Sequence, residues 1–284
     1  MLYILQKIIE ISKIILHILI TRFQTKSLFQ IGVAKKYFET DVAKFLYVEN
    51  GSDYYLADPF ILSHDGHDYI FCEKYIQDIG KGVIQIFEID NDFDLIDLGI
   101  ALEESFHLSF PFIFQFEENI YMIPESKSVE KIILYKNVEW PNKWDRVSIL
   151  LEGIKAVDTV VFRHNEIWWL ITTFDSAGTN LSQSELHIYY SLDLESENWR
   201  KHSMNPVLID SYKGRNAGFF LDGKKLIRCS QSMKNFRYGH NLNFHEIVNI
   251  TEHEYQEIDL DLGIFDNCHS YDTKNGITVL DIRN

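Results

Sequence analysis

Short apolar runs separated by turn signals fill the chain from residue 45 onward. The turns include HDGHD at 64–68, LDGKK at 221–225 and TKNG at 273–276, each between two runs rich in β-branched and aromatic residues. Runs of this kind bounded by Gly, Asn and Asp are typical of β-strands joined in hairpins, and no long helical period appears here. The pattern therefore predicts an all-β domain.

The strands recur in groups that open with similar stretches. The openings are LADPFIL at 56–62, LSFPFIF at 108–114, AVDTVVF at 156–162, RNAGFFL at 215–221 and NCHSYDT at 267–273. They lie 48 to 58 residues apart when aligned on Pro59, Pro111, Thr159, Ala217 and Ser270. A period of about 50 residues with three or four strands is typical of a propeller blade, so we predict a five-bladed β-propeller. A two-sheet sandwich would explain the alternating strands but not the period.

The propeller is expected to span residues 28–284, with blades that open near 56, 108, 156, 215 and 267. Its last repeat is short, so a strand from elsewhere has to complete that blade. We predict that FQIGVAKKYF at 29–38 supplies the strand and closes the ring, because a propeller must hide its sheet edges.

The N-terminal residues 1–27 form a separate segment. Residues 1–20 are apolar except at steps of three and four residues, which place the polar positions on one helical face: Lys7, Glu10, Lys13 and His17. Three charges disfavour a membrane span. We therefore predict an amphipathic helix and linker that docks on a protein or makes peripheral contact with a membrane through residues 1–20.

Polar residues mark the same end of every predicted hairpin. The first two strands of a blade are antiparallel, so the start of one and the end of the next lie on one face of the ring. Polar channel residues often only bind water and tie blades together, but solvation alone would not concentrate acids at one end. We predict a functional pocket there. Its expected catalytic residues are Asp58, Asp158, Glu125 and Glu73, and its expected substrate-binding residues are His107, Ser109, Arg215, Asn216, Gln231, Tyr238 and His269.

Composition excludes several classes of function. The formal net charge of −15 argues against nucleic-acid binding, which needs patches of Lys and Arg. The three cysteines are far apart and form no CxxC pair, so we expect buried thiols, no zinc cage and a reducing, cytoplasmic location. HDGH at 64–67 and HSYD at 269–272 read as solvated turns rather than metal sites. No nucleotide-binding motif is present, and we expect neither a metal nor a cofactor.

Several stretches of residues 28–284 resemble a known family. YYLADPFI with YIFCEKY, HLSFPFIF with IYMIPES, VDTVVF with WWL, then RNAG and a final HSYD are similar to the N-terminal domain of glucosamine inositolphosphorylceramide transferases. Similar domains occur in bacterial proteins, sometimes behind a formyltransferase-like domain. The resemblance implies work on glycans or glycolipids, with a partner transferase or formyltransferase-like domain.

A more distant similarity connects the layout to five-bladed arabinanases and β-xylosidases. That similarity implies that Asp58 is a general base and that Asp158 tunes pKa values. The general acid of those enzymes is a Glu in blade four, where this chain has Arg215 and no nearby Glu. The resemblance therefore leaves the acid unassigned.

Two functions remain open. In the first, the propeller is a carbohydrate-active enzyme of glycan, surface polysaccharide or glycolipid biosynthesis that transfers or hydrolyses a glycosyl group. Asp58 is then base or nucleophile, Glu125 or Glu73 the acid, and Arg215 the ligand of an anionic group on a nucleotide-sugar or glycolipid substrate. In the second, it is a non-catalytic carbohydrate-binding or scaffold module that serves a partner glycosyltransferase.

Overall fold

The computed structural model describes residues 28–176, 184–232 and 239–283. The predicted helix over 1–27 and Tyr238 lie outside the described residues. The described chain forms five antiparallel sheets arranged as a five-bladed β-propeller, which confirms the predicted fold class. In the same part of the chain, no helix has the length and apolar character needed to cross a membrane.

Two strands precede the first complete blade. They are β1 (Phe29–Ala34) and β2 (Leu46–Tyr47), with a short 3-10 helix at Val42–Lys44 between them. From the axis outward, blade 1 contains β3 (Tyr54–His64), β4 (His67–Ile76), β5 (Lys81–Ile89) and β6 (Leu95–Leu102). Blade 2 contains β7 (Ser109–Phe116), β8 (Asn119–Glu125), β9 (Lys131–Glu139) and β10 (Lys143–Glu152), with a second 3-10 helix at Lys127–Val129.

The remaining blades follow the same order from the axis outward. Blade 3 contains β11 (Val157–His164), β12 (Ile167–Thr173), β13 (Glu185–Ser191) and β14 (Arg200–Lys201), and β15 (Leu208–Ile209) also pairs with β13. Blade 4 contains β16 (Arg215–Asp222), β17 (Lys225–Gln231), β18 (Asn241–Ile250) and β19 (Tyr255–Asp266). Blade 5 contains β20 (Cys268–Lys274) and β21 (Ile277–Arg283), followed by β1 and β2.

The ring closes through the N-terminal strand. β1 pairs with β21 from Phe29 opposite Arg283 to Ala34 opposite Thr278, which is the arrangement expected for FQIGVAKKYF. Each innermost strand contacts the next, in the order β3, β7, β11, β16, β20 and back to β3. These five strands therefore line one central channel, and both described ends of the chain lie at the same mouth of it.

Aromatic side chains fill the space between the blades. Phe60 of blade 1 meets Phe110 of blade 2 edge-on, with ring centroids 4.8 Å apart. Phe162 of blade 3 stacks on Phe219 of blade 4 at 4.3 Å. The three cysteines are free and buried, as the sequence predicts. Burial of this apolar surface, rather than a disulfide bond, packs neighbouring blades together.

Candidate functional site

A β-bulge interrupts the innermost strand of each blade near one mouth of the channel. The register shifts lie at Ala57/Phe60, Ser109/Phe112, Val157/Val160, Asn216/Gly218 and Cys268/Tyr271. In the first three blades the bulge contains a residue with positive φ: Asp58 at 52°, Phe110 at 44° and Asp158 at 51°. Bulges redirect side chains and are common beside functional sites. Here two of the redirected side chains are carboxylates.

The bulged strands surround a cavity of about 190 Å³ at this mouth. It brings together all four predicted catalytic carboxylates and four of the predicted binding residues. The lining contains Asp58, Glu73, Glu125, Asp158, His107, Ser109, Arg215 and His269 from the prediction, together with Phe29, Tyr55, Ala57 and Tyr75. Side chains that the hairpin-end pattern places at one mouth of the channel therefore line one cavity.

Two predicted binding residues lie behind the cavity wall rather than on it. Asn216 and Gln231 are fully buried and are absent from the lining. Asn216 Nδ2 donates to the backbone oxygen of Asp158 at 2.9 Å, and Gln231 Nε2 donates to Asp158 Oδ2 at 3.2 Å. Asn216 and Gln231 therefore bind Asp158 from behind the cavity wall and do not line the cavity.

Arg215 and Asp158 form a buried ion pair between blades 3 and 4. Arg215 Nε lies 2.5 Å from Asp158 Oδ2, and both side chains are less than a tenth exposed. A buried charge needs such a partner to offset the loss of water. The charge of Arg215 thus offsets the charge of Asp158. Arg215 also lines the cavity, and it lies in blade 4, for which the distant resemblance to glycosidases implies a general acid.

Glu125 is a cavity carboxyl group whose pKa lies near neutral pH. Burial, and after it the charge of Asp158, raises the pKa of Glu125 to about 7, against the lowering effect of Arg215 and Lys127. Lys127 is half-buried in the 3-10 helix that follows Glu125. A carboxyl with a pKa near the working pH is suited to give and take protons.

His107 and Glu73 form a second pair at the cavity wall. The backbone N–H of Gly82 donates to His107 Nδ1 at 2.9 Å, and Nε2 faces Glu73 Oε1 at 3.4 Å. Because Nδ1 accepts a hydrogen bond, the proton of the neutral ring lies on Nε2 and points at Glu73. Burial lowers the pKa of His107 and raises that of Glu73.

His269 lies between two carboxylates, one of which sequence reasoning missed. Its Nε2 is 3.2 Å from Asp58 Oδ1 and its Nδ1 is 2.6 Å from Asp281 Oδ2. The ring stacks on Phe29 with centroids 3.9 Å apart. Asp281 lies near the end of the second strand of blade 5, one residue before Ile282, which has the register position of Glu73 in blade 1. The hairpin-end rule therefore pointed to this end of β21 but not to Asp281 itself.

These three side chains converge closely enough to hold a metal ion. The oxygens of Asp281, however, already accept the backbone N–H groups of Asp58, His269 and Ser270 at 2.9 to 3.0 Å. An oxygen directed at N–H donors has few lone pairs left for a cation. The cation that this donor set fits is the imidazolium of His269.

Aromatic rings form the rim of the cavity. Tyr55 and Tyr75 are opposite each other on β3 and β4, and their rings stack at 5.0 Å. Each is two residues from a cavity residue on the same strand face, Ala57 or Glu73, so side-chain alternation was the available signal. No tryptophan is among the described residues that line this cavity.

The two short histidine stretches differ in their environment. HDGH at 64–67 occupies the exposed β3–β4 turn at the other mouth, as predicted. HSYD at 269–272 is not a solvated turn, because it lies on β20 and all four residues are buried. The prediction failed because an inner strand of a propeller contains polar residues that elsewhere mark a loop.

A second histidine network lies in blade 4. Ser230 Oγ is 2.8 Å from His245 Nε2, and His245 Nδ1 is 2.9 Å from Asp259 Oδ1, which are the distances of a nucleophilic triad. Ser230 has no exposed surface, whereas the Asp259 side chain is 67% exposed. A nucleophile has to reach its substrate, so this network joins strands rather than performing catalysis.

Comparison with known proteins gives the family. A family model described as the N-terminal part of glucosamine inositolphosphorylceramide transferase 1 matches residues 42–283. Over 228 residues the chain is 31% identical to glucosamine inositolphosphorylceramide transferase 1 of Arabidopsis thaliana and 29% identical to that of Oryza sativa subsp. japonica. The matched stretches cover 78% of this chain, and the chain spans only 29 to 30% of those relatives.

Solved structures share the fold at low identity. An exo-β-1,3-galactanase from Phanerochaete chrysosporium superposes with a TM-score of 0.58 at 10% identity, covering 79% of this chain and 56% of that one. An exo-1,5-α-L-arabinanase from a bovine ruminal metagenomic library gives 0.55 at 9% identity, covering 84% and 100%. At these identities the likeness concerns the fold alone.

Proposed function

The chain belongs to the family defined by the N-terminal part of glucosamine inositolphosphorylceramide transferase 1, and from that premise we propose that it is a carbohydrate-active enzyme. Its proposed reaction is transfer of a glycosyl group, or hydrolysis where water is the acceptor, in glycan, surface polysaccharide or glycolipid biosynthesis. The observation that carries the proposal is the cavity in which Glu125, with a pKa of about 7, shares a wall with the buried carboxylate of Asp58.

The two carboxyl groups divide the proton transfers. Asp58 takes the proton of the acceptor hydroxyl as the acceptor oxygen bonds to the anomeric carbon. The bond from that carbon to the leaving oxygen breaks, and protonated Glu125 gives its proton to that oxygen. Such acid–base pairs are the usual apparatus of glycosyl chemistry.

The neighbouring charges set up this division. Burial, and after it the charge of Asp158, raises the pKa of Glu125 to about 7, and Arg215 limits that effect and holds Asp158 in place. Glu73, on the strand next to Asp58, offers its carboxyl group to sugar hydroxyls, and His107 positions Glu73. Arg215 lines the cavity, where its charge would attract an anionic group of the substrate.

A non-catalytic binding or scaffold module is the second candidate. Two observations favour it. Blade 4 presents an arginine already paired with Asp158, and the relatives are more than three times as long as the stretch matched here, which leaves room for chemistry elsewhere in them. In that case the cavity grips a glycan or head group for a partner glycosyltransferase.

A panel of nucleotide sugars, sugar phosphates, oligosaccharides and glycolipids tests both candidates. Binding is followed by thermal shift and turnover by mass spectrometry, with wild type beside Asp58→Asn and Glu125→Gln. Asp222→Asn, an exposed carboxylate at the other mouth of the channel, is the matched control. We expect turnover that both cavity variants lose by at least about 100-fold while the control keeps it. Binding without turnover, merely weakened by Asp58→Asn, would reject the enzyme in favour of the module.

A further inference from the structure

We propose that His269, held between Asp58 and Asp281, is a protonated positioning residue whose charge favours the ionised form of Asp58. The inference depends on the proposed function only where it gives Asp58 the part of a base. The protonation state itself follows from geometry. Asp281 holds His269 in place, and protonated His269 places a positive charge next to the cavity carboxylates.

The number of protons on the ring follows from its two neighbours. A neutral imidazole has one N–H and one acceptor nitrogen. Each nitrogen of His269 lies within ion-pair distance of a carboxylate oxygen, at 3.2 Å on the side of Asp58 and at 2.6 Å on the side of Asp281. A ring nitrogen without a proton at either place would bring its lone pair against a lone pair of a carboxylate oxygen, which is repulsive. The doubly protonated ring is the form that satisfies both neighbours.

Asp281 is fixed as an anion by the backbone. Its two oxygens accept N–H groups from Asp58 on β3 and from His269 and Ser270 on β20. Several N–H donors stabilise the ionised form of a carboxylate strongly. Burial would raise the pKa of Asp281, but the charge of His269 and these donors hold it below its usual value. Asp281 therefore stays ionised, and its negative charge favours the protonated ring of His269.

Asp58 depends on that ring for its own charge. It is 5% exposed, and four charged groups face it: His269 from β20, Asp281 from β21, Glu73 from β4 and Asp158 from β11. Burial, together with the three acids, raises the pKa of Asp58 well above its ordinary value, and the positive charge of His269 limits that rise. Of those four groups, His269 is the one that favours the carboxylate. Loss of its charge would leave less of Asp58 ionised, and so less of it able to act as a base.

The second histidine of the cavity provides an internal contrast. His107 faces one carboxylate, and the Gly82 N–H occupies its Nδ1, so the structure keeps this ring neutral with the proton on Nε2. One cavity thus contains two histidines of opposite and fixed states. The difference comes from a backbone N–H in one case and a second carboxylate in the other.

Nitrogen-15 NMR of histidine-labelled protein between pH 5 and 9 measures the states directly. Signals are assigned with His269→Gln and His107→Gln. The control is His202→Gln, a buried histidine far from the cavity that bonds to Met204 and Thr251. We expect both nitrogens of His269 to stay protonated through pH 7.5 and His107 to remain neutral with Nε2 protonated. A His269 signal that titrates at or below the ordinary value of about 6.5 overturns the inference.

The pH dependence of turnover tests the consequence for Asp58. Removing the positive charge raises the pKa of Asp58, so the acidic limb of the rate profile should move up by about one to three pH units in His269→Gln. His202→Gln should leave the profile in place. An unchanged acidic limb in His269→Gln refutes the positioning role. If wild type turns nothing over, the proposed function fails, while the NMR titration still decides the state of His269.

Discussion

Replacing Asp281 with Asn is the sharpest test of how the cavity is built, because it alters one buried group that no substrate needs to touch. The amide has one acceptor oxygen where the carboxylate has two, and its NH2 would face donors. Of the backbone N–H groups of Asp58, His269 and Ser270, at least one loses its acceptor. The imidazolium of His269 loses its closest counter-charge at the same time.

The magnitude can be worked from these contacts. A buried N–H left without an acceptor costs about 1–3 kcal/mol, and breaking one side of a buried ion pair costs about 3–5 kcal/mol. The effects share one site and do not add fully, so we expect the free energy of unfolding to fall by about 3–5 kcal/mol. Asp259→Asn is the matched control, since Asp259 also faces a buried histidine but is 67% exposed. It should cost less than about 1 kcal/mol.

Urea unfolding at several pH values gives both the size and the sign. The folded pKa of Asp281 is lowered, so its contribution is present above the unfolded value of about 3.9 and is lost as pH falls through the folded one. The folded pKa of His269 is raised, so its contribution is present below about 6.5 and is lost as pH rises through the folded value. The difference between wild type and Asp281→Asn should therefore be largest between about pH 4 and 6.5. A loss below 1 kcal/mol throughout, equal to that of Asp259→Asn, would refute this role of Asp281.

Two further changes test other parts of the cavity. Because the proposed acid must be protonated, turnover by wild type should fall as pH rises through about 7. The Arg215→Met variant should shift this basic limb of the rate profile to higher pH, since loss of the cation raises the pKa of Glu125. A basic limb that stays in place would remove Glu125 from the acid role. In Gly82→Ala the new Cβ would lie 2.3 Å from the Leu108 backbone oxygen and 2.6 Å from Glu73 Oε1. We expect the free energy of unfolding, measured in urea, to fall by about 1–3 kcal/mol and ligand binding to weaken. Gly66→Ala, whose Cβ meets nothing within 4 Å, should show only the smaller cost of its positive φ.

The repeat made the fold predictable from the sequence. The aligned openings gave the number of blades, and the short last repeat gave the need for a closing strand, which β1 supplies by pairing with β21. Both are properties of the chain as a whole, because sheet edges have to be hidden. The helix predicted over 1–27 lies outside the described residues and stays a prediction.

The cavity was predictable in position but not in detail. The rule that hairpin ends meet at one mouth located Asp58 and Glu73, yet it placed Asn216 on the cavity wall, from which it is absent. A bulge shifts which side chains face the channel, and a bulge leaves no reliable mark in a single sequence. Asp281 was missed for another reason, since its role arises from backbone groups such as that of Asp58, 223 residues away.

The size of the cavity limits what its ligand can be. Sites for whole small molecules usually measure about 300–1,000 Å³, and this one measures about 190 Å³. Among the described residues, it shares no lining residue with the 610 Å³ aromatic cavity at the other mouth. Under the proposed function, a small polar unit of the substrate occupies the space among the carboxylates, and a longer substrate leaves across the rim formed by Tyr55, Tyr75 and Phe29. We therefore expect Tyr55 and Tyr75 to affect specificity for the remainder of a glycan or glycolipid, and these are the residues to vary when a ligand is known.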